Sequence, residues 1–131
     1  MGASRELRIL LVGDHHAELE ALCREVAEPS AIEIVGHARS AAEAHELLEL
    51  LSPDLVLLDL EAEAIGSPAA IPQVKTHPGA PIVFVLTSDD SAAARTASFA
   101  AGADGFIGKA EAREKLRALI AKIRPYVSRA S

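Results

Sequence analysis

Four polar residues stand where apolar runs stop. "ILLV" (9–12) is followed by Gly13 and Asp14, and "LVLL" (55–58) ends on Asp59. "IVFVL" (82–86) ends on Thr87 and then Ser88, and "GFIG" (105–108) runs straight into Lys109. Two carboxylates, a hydroxyl and an ammonium suit a narrow chemistry if they meet. Paired carboxylates repel and invite a hard cation, and Mg²⁺ takes oxygen from one or two carboxylates together with phosphate and water. An ammonium offsets the charge of a phosphoryl group as a point charge. A carboxylate is itself a competent nucleophile towards phosphorus, giving an aspartyl-phosphate. Taken singly, each residue reads better as a turn former or helix cap than as a site residue; four complementary groups at four strand ends are much less readily bystanders.

The elements that would position them alternate regularly. Strands are predicted at 8–13, 32–36, 54–59, 81–87 and 104–108, each rich in Ile, Val, Leu or Phe and bounded by turn residues. Their continuous apolar character suits parallel strands covered on both faces. Between them, Leu19, Leu22, Cys23 and Val26 fall at i, i+3, i+4, i+7. Ala44, Leu47, Leu48 and Leu51 repeat that spacing, and so do Leu116, Leu119, Ile120 and Ile123. Each set lays one apolar stripe along a helix. Ser40 and Glu43 form a capping box for the second helix, and Gly102 reads as the stop of the Ala-rich segment 91–101. The third connection, 65–81, holds Pro68, Pro72, Pro78 and Pro81, so a short or distorted helix beginning near Pro72 is expected. Residues Ser128 to Ser131 are expected to fray.

Five strand–helix alternations are the sequence form of a doubly wound parallel α/β sheet in three α/β/α layers. Such sheets bind ligands beyond the carboxyl ends of their strands, where the four polar residues fall.

The bulk properties exclude other classes. The chain has 131 residues, enough for one domain with a real core, and a net charge of −6. No basic footprint for direct nucleic-acid binding is visible. No apolar run approaches the roughly 18 residues of a membrane span, and residues 1–8 lack a signal-peptide core, so a cytoplasmic location is expected. The single cysteine excludes an intrachain disulfide and a CxxC metal site. Cys23 lies on an apolar stripe and reads as a buried core thiol. Neither GxGxxG nor GxxxxGK[ST] occurs. The pair His15–His16 tempts a metal reading, but adjacent helical residues diverge by about 100°, so both read as solvated residues of a first helical turn. His37, His45 and His77 have no clustered partner in the sequence.

Asp14, "PDLVLLDL" (53–60), "VLTS" (85–88) and "AGADGFIGK" (101–109) resemble the response-regulator receiver domain of two-component signalling. The stretch "IEIVGHARSAAEA" is similar to the second strand and helix of receivers from the transcription-factor branch. The resemblance spans residues 7–124, leaving tails 1–6 and 125–131. It implies a five-stranded flavodoxin-like (CheY-like) sheet of order 2-1-3-4-5. It further implies that Asp59 is the phospho-acceptor, with Mg²⁺ held by Asp14, Asp59 and the main-chain carbonyl of Glu61. Thr87 would turn towards the phosphoryl group, Lys109 would pair with it, and Phe106 would follow Thr87 as the aromatic switch. Ser88 is small, leaving access to the acceptor. The donor would be a histidine kinase or phosphotransfer protein, and the signal would leave through the face of helix four, strand five and helix five. The recipient would be an output domain, a partner protein or a second copy in a homodimer.

The chain departs from the family pattern at four places. Gly13 replaces the first of two adjacent acids, which weakens Mg²⁺ binding on this reasoning. Ala62 and Glu63 replace a methionine-proline pair after the acceptor. Ala110 replaces the proline after Lys109, so a trans 109–110 peptide and a shifted lysine are expected, because a non-proline cis bond costs about 2.5–4 kcal/mol. Glu61, Glu63 and Asp89 crowd the site with negative charge. These departures keep open a pseudo-receiver, in which the fold serves phosphorylation-independent interaction or dimerisation. A flavin-binding alternative has little to stack on, with three Phe, one Tyr and no Trp.

Overall fold

The computed structural model describes residues 6–28, 31–63, 65, 68–76 and 81–127. Five strands, β1 (Leu7–Val12), β2 (Ile32–Ala38), β3 (Leu55–Asp59), β4 (Ile82–Thr87) and β5 (Gly105–Gly108), form one sheet. Its order is β2-β1-β3-β4-β5, every pairing parallel. The helices are α1 (His16–Val26), α2 (Ala41–Leu51), α3 (Ala70–Lys75), α4 (Ala92–Ala100) and α5 (Ala112–Val127).

Alternation along the strands divides the apolar residues between two cores. Leu10, Val12, Val56, Leu58, Val83 and Val85 face α2 and α3, packing on Ala44, Leu48, Ile71 and Val74. Ile9, Leu11, Leu55, Leu57, Phe84 and Leu86 face the other way, onto Leu19 and Cys23 of α1 and Leu116 and Ile120 of α5. A strand such as Leu55–Leu58 is apolar at every position because both its faces are covered. Each such leucine contributes about 1.5–3 kcal/mol on burial, which fixes the strand ends and hence the polar residues that follow them.

The helix boundaries follow local chemistry. Ser40 Oγ accepts from Glu43 N at 3.1 Å, while the Glu43 carboxylate reaches one residue further back than expected, accepting from Arg39 N at 2.7 Å. α3 is short, as its prolines dictate, and begins two residues before Pro72, which therefore sits in the first turn. Pro78 and His77 lie outside the described residues. Gly102 adopts φ +115° just after α4, a left-handed conformation that favours glycine. α5 continues through Pro125 to Val127, so the tail expected from residue 125 is helical at its start. Pro125 falls in the last turn of α5, so the hydrogen bond it removes lies at the helix end. The fraying expected at Ser128 to Ser131 concerns positions outside the described residues. No helix among the described residues is long and apolar enough to cross a membrane.

Candidate functional site at the carboxyl edge of the sheet

Parallel pairing in register brings the strand ends together. Asp59 pairs with Leu86, and Thr87 pairs with Gly108, so β3, β4 and β5 deliver Asp59, Thr87 and Lys109 to one edge. Asp59 is buried, with a side-chain exposure of only 4%. Its Oδ1 accepts from Glu61 N at 2.9 Å. Lys109 Nζ stands 3.3 Å from Oδ1 and 3.4 Å from Oδ2. A nearly buried carboxylate thus has a charge partner and a backbone donor, the compensation such burial requires.

Lys109 is shared. Its shortest contact is to Glu61 Oε1, at 2.6 Å, and that same oxygen accepts from Ser88 Oγ at 3.0 Å. The hydrogen bond from Lys109 holds the Glu61 carboxyl below its ordinary range, with the Ser88 contacts adding to it against a smaller opposing effect of burial. Burial pulls the Lys109 ammonium down, but the hydrogen bond to Glu61 and the charge of Asp59 together outweigh it, so its pKa is raised. The 109–110 peptide is trans, as expected without proline. The lysine leans to Glu61 yet keeps Asp59 within ion-pair distance.

Thr87 is buried, and its Oγ1 accepts from Asp89 N at 3.1 Å. A hydroxyl that accepts there still has its own proton to donate. Phe106, on the strand that flanks Thr87, is buried against Val83 and Val85.

Asp14 is the outlying member. It is exposed, and its Oδ2 accepts from Glu63 N at 2.8 Å, tying the loop after β1 to the loop after β3. Gly13 shows how closely these loops approach: a β-carbon there would lie 3.0 Å from Asp59 Cβ and 3.2 Å from Leu19 Cδ1. The Asp59 side chain thus occupies space beside the missing side chain. Among the described residues no three His, Cys, Asp or Glu side chains are grouped to hold a metal ion. The carboxylates of Asp14 and Asp59, at the ends of β1 and β3, are the hard oxygen donors that the resemblance assigns to Mg²⁺ together with the Glu61 carbonyl. These are hard ligands of the right kind, and fewer of them are carboxylates than a two-acid loop would offer.

A cleft of about 690 Å³ opens beside Asp59 between α1 and the start of α5. Its walls include His15, Glu18, Leu19, Lys109 and Arg113. The expectation for the histidine pair is corrected here. His15 is exposed, but His16 stacks on His37 of β2, with ring centroids 4.6 Å apart. Helical and strand periodicity give no sign of that contact, which depends on how α1 lies over β2. His37 Nε2 is 3.4 Å from Glu20 Oε1, an ion-pair distance reached off the hydrogen-bond axis, so neither ring Nε2 has a hydrogen-bond partner. Arg95 on α4 also escaped notice; its spacing of four from Phe99 was the available signal.

Comparison with known proteins agrees with this geometry. The family described as "Response regulator receiver domain" matches residues 9–121. Response regulator GacA of Pseudomonas viridiflava is 30% identical over 104 residues, covering 79% of this chain and 48% of that protein. The transcriptional regulatory protein LiaR of Bacillus subtilis is 33% identical over 82 residues, 63% of this chain and 39% of that protein. The chain thus spans about half or less of the length of these relatives. The signal receiver domain of the NarL response regulator from Mycobacterium tuberculosis superposes with a TM-score of 0.78 at 22% identity, covering 92% of this chain and 98% of that one. With sheet order, strand-end residues and family match in agreement, the chain belongs to the response regulator receiver domains of two-component systems.

Proposed function

We propose that this receiver is a working phospho-switch with Asp59 as its acceptor. The observation that carries this reading is the Lys109 ammonium 3.3 Å from the buried Asp59 carboxylate, across the ends of β5 and β3. An interaction module that had abandoned phosphoryl chemistry would have no need of a buried acid paired with a lysine, since replacing such a pair with apolar residues is often neutral or stabilising.

The donor is a phosphohistidine on a histidine kinase or phosphotransfer protein, reaching Asp59 through the cleft between α1 and α5. An Asp59 oxygen forms the new bond to phosphorus as the phosphorus–nitrogen bond breaks, and the imidazole leaves with the bonding pair and takes up a proton. Lys109 lies where it can pair with a phosphoryl oxygen, and Thr87 can donate its hydroxyl proton to another. Asp14, Asp59 and the Glu61 carbonyl would hold Mg²⁺, which when bound offsets the charge of carboxylate and phosphoryl group together. The signal then leaves through α4, β5 and α5 to an output domain, a partner protein or a second copy. The names of longer relatives, among them transcriptional regulators, support an output of that kind. The net charge of −6 weighs against direct nucleic-acid binding by this domain.

Intact mass after incubation with a small phosphodonor and Mg²⁺ tests the proposal. One phosphoryl adduct, absent in Asp59→Asn, is expected. An adduct that survives Asp59→Asn, or none with any donor, overturns it.

A further inference from the structure

The helices are not equally well seated on the sheet. α1 buries Leu19, Cys23 and Val26, and even the short α3 buries Ala70, Ile71 and Val74. Among the described residues of α4 only Ser98 is buried, at 0% exposure. Ala94 and Ala101, four residues before it and three after, share its face and are half-buried against the core that holds Val83, Val85 and Phe106. Arg95 and Phe99 reach the Phe106 ring from the exposed side of the helix. Alanine methyl groups bury only a fraction of the apolar area that leucines do. The Ser98 hydroxyl adds to that deficit. It has no hydrogen-bond partner among the described residues, so the carbonyl four residues back, a common recourse of a helical serine, is not taken.

We propose that Ser98 is a weak point built into the fold, which lets α4 leave the sheet while α1, α2 and α5 stay packed. The inference goes beyond the phospho-switch and does not require Asp59 to be phosphorylated. A buried hydroxyl without a partner has lost its bonds to water and gained none, and it regains them when the helix detaches. Relative to an alanine at the same place, that difference favours the detached form by about 5–50-fold. Elements with few buried apolar contacts open well below the free energy of global unfolding. α4 meets that condition twice, with small residues along its inner face and an unpaired hydroxyl between them. α4 also belongs to the face through which the signal is proposed to leave. The population of its detached form scales the apparent affinity of any partner that requires it.

Native-state hydrogen exchange and tryptic cleavage after Arg95 test the proposal on wild type, Ser98→Ala and Ala97→Ser. Arg95 is the only Lys or Arg between Lys75 and Lys109, so fragment mass reports cleavage in α4 directly. In wild type, α4 amides are expected to exchange, and Arg95 to be cleaved, through an opening that low urea does not accelerate. Interior amides of α1 and α5 are expected to exchange only with global unfolding. Ser98→Ala is expected to slow both α4 readouts about 5–50-fold. Ala97→Ser, at an exposed position of the same helix, isolates helix propensity and is expected to speed them only about 2-fold. Wild-type α4 amides that exchange only on global unfolding would overturn the proposal. So would a Ser98→Ala effect no larger than that of the propensity control, because the hydroxyl would then carry no cost of its own.

Discussion

Lys109 lies 2.6 Å from Glu61 and 3.3 Å from Asp59, so one ammonium serves two carboxylates and favours Glu61 over the proposed acceptor. Glu61 presents an anionic oxygen to Lys109 and Ser88, the contacts an incoming phosphoryl oxygen would seek. Glu61→Gln removes that competitor. The extent of Asp59 phosphorylation at a fixed, limiting donor concentration is expected to rise roughly 5–10-fold, from relief of on the order of 1 kcal/mol of charge repulsion. Intact-mass quantification checks it, and an unchanged extent would show that Glu61 does not compete.

The same pair gives a pH signature. The folded-state pKa of Glu61 is depressed, chiefly by the Lys109 hydrogen bond. Its stabilisation is therefore complete above the unfolded carboxyl value, about 4.3, and is lost as pH falls through the lower folded value. Lys109 is raised, so its share persists below the unfolded value, about 10.4, and is lost as pH rises through the folded one. Both side chains are more than a third exposed, which limits the pair to about 0–1 kcal/mol. Urea melts of wild type and Glu61→Gln should differ by that amount at neutral pH, and the gap should narrow as pH falls below the unfolded carboxyl value and through the lower folded one. A gap that widens on acidification would contradict the assignment.

Most of the fold is legible in the sequence because buried parallel strands are continuous apolar runs, and turn residues mark where they stop. Leu55–Leu58 and the stripe Leu116, Leu119, Ile120, Ile123 required no tertiary information. Asp59, Thr87 and Lys109 are legible for the same reason, since a parallel sheet carries every strand end to one edge. What stayed hidden depends on how the elements lie over each other. The His16–His37 stack joins a helix to a strand across 21 positions, and the reach of Arg95 to Phe106 joins α4 to β5. The bias of Lys109 towards Glu61 is likewise set by side-chain rotamers at the loop, which no periodicity encodes.

Cys23 should be chemically silent in the native state. It is fully buried on α1, and burial pushes its thiol up to about 12. Only the thiolate reacts at a useful rate, so alkylation by iodoacetamide at pH 8 should require unfolding. Labelling should therefore follow the urea unfolding curve. Rapid labelling of native protein would show that α1 opens locally.

Gly102→Ala should destabilise the domain by about 1 kcal/mol or more, because its φ of +115° is one that a side chain rarely adopts. A β-carbon there would also come within 3.3 Å of Lys75 Cγ. Thermal melts decide it, and an unchanged or higher midpoint would mean that the turn readily adopts another conformation.

Gly13 tests whether the thinned acidic site can be repaired. Adding a carboxylate beside Asp14 should strengthen Mg²⁺ binding, since a supporting ligand of this kind is typically worth about 10–100-fold. The close packing opposes part of that gain. A β-carbon at position 13 meets Asp59 Cβ at 3.0 Å and Leu19 Cδ1 at 3.2 Å, so Asp59 must yield a few tenths of an ångström. Gly13→Ala isolates the steric component. It is expected to cost about 1 kcal/mol of stability, at the low end of overpacking penalties, with no gain in metal affinity. Gly13→Asp should incur the same cost yet bind Mg²⁺ at least about 10-fold more tightly than wild type, measured by calorimetric titration. Equal affinities in wild type and Gly13→Asp would show that the missing acid is not what weakens the site. The strain on Asp59 or the diversion of Asp14 to Glu63 N would then be the limiting feature.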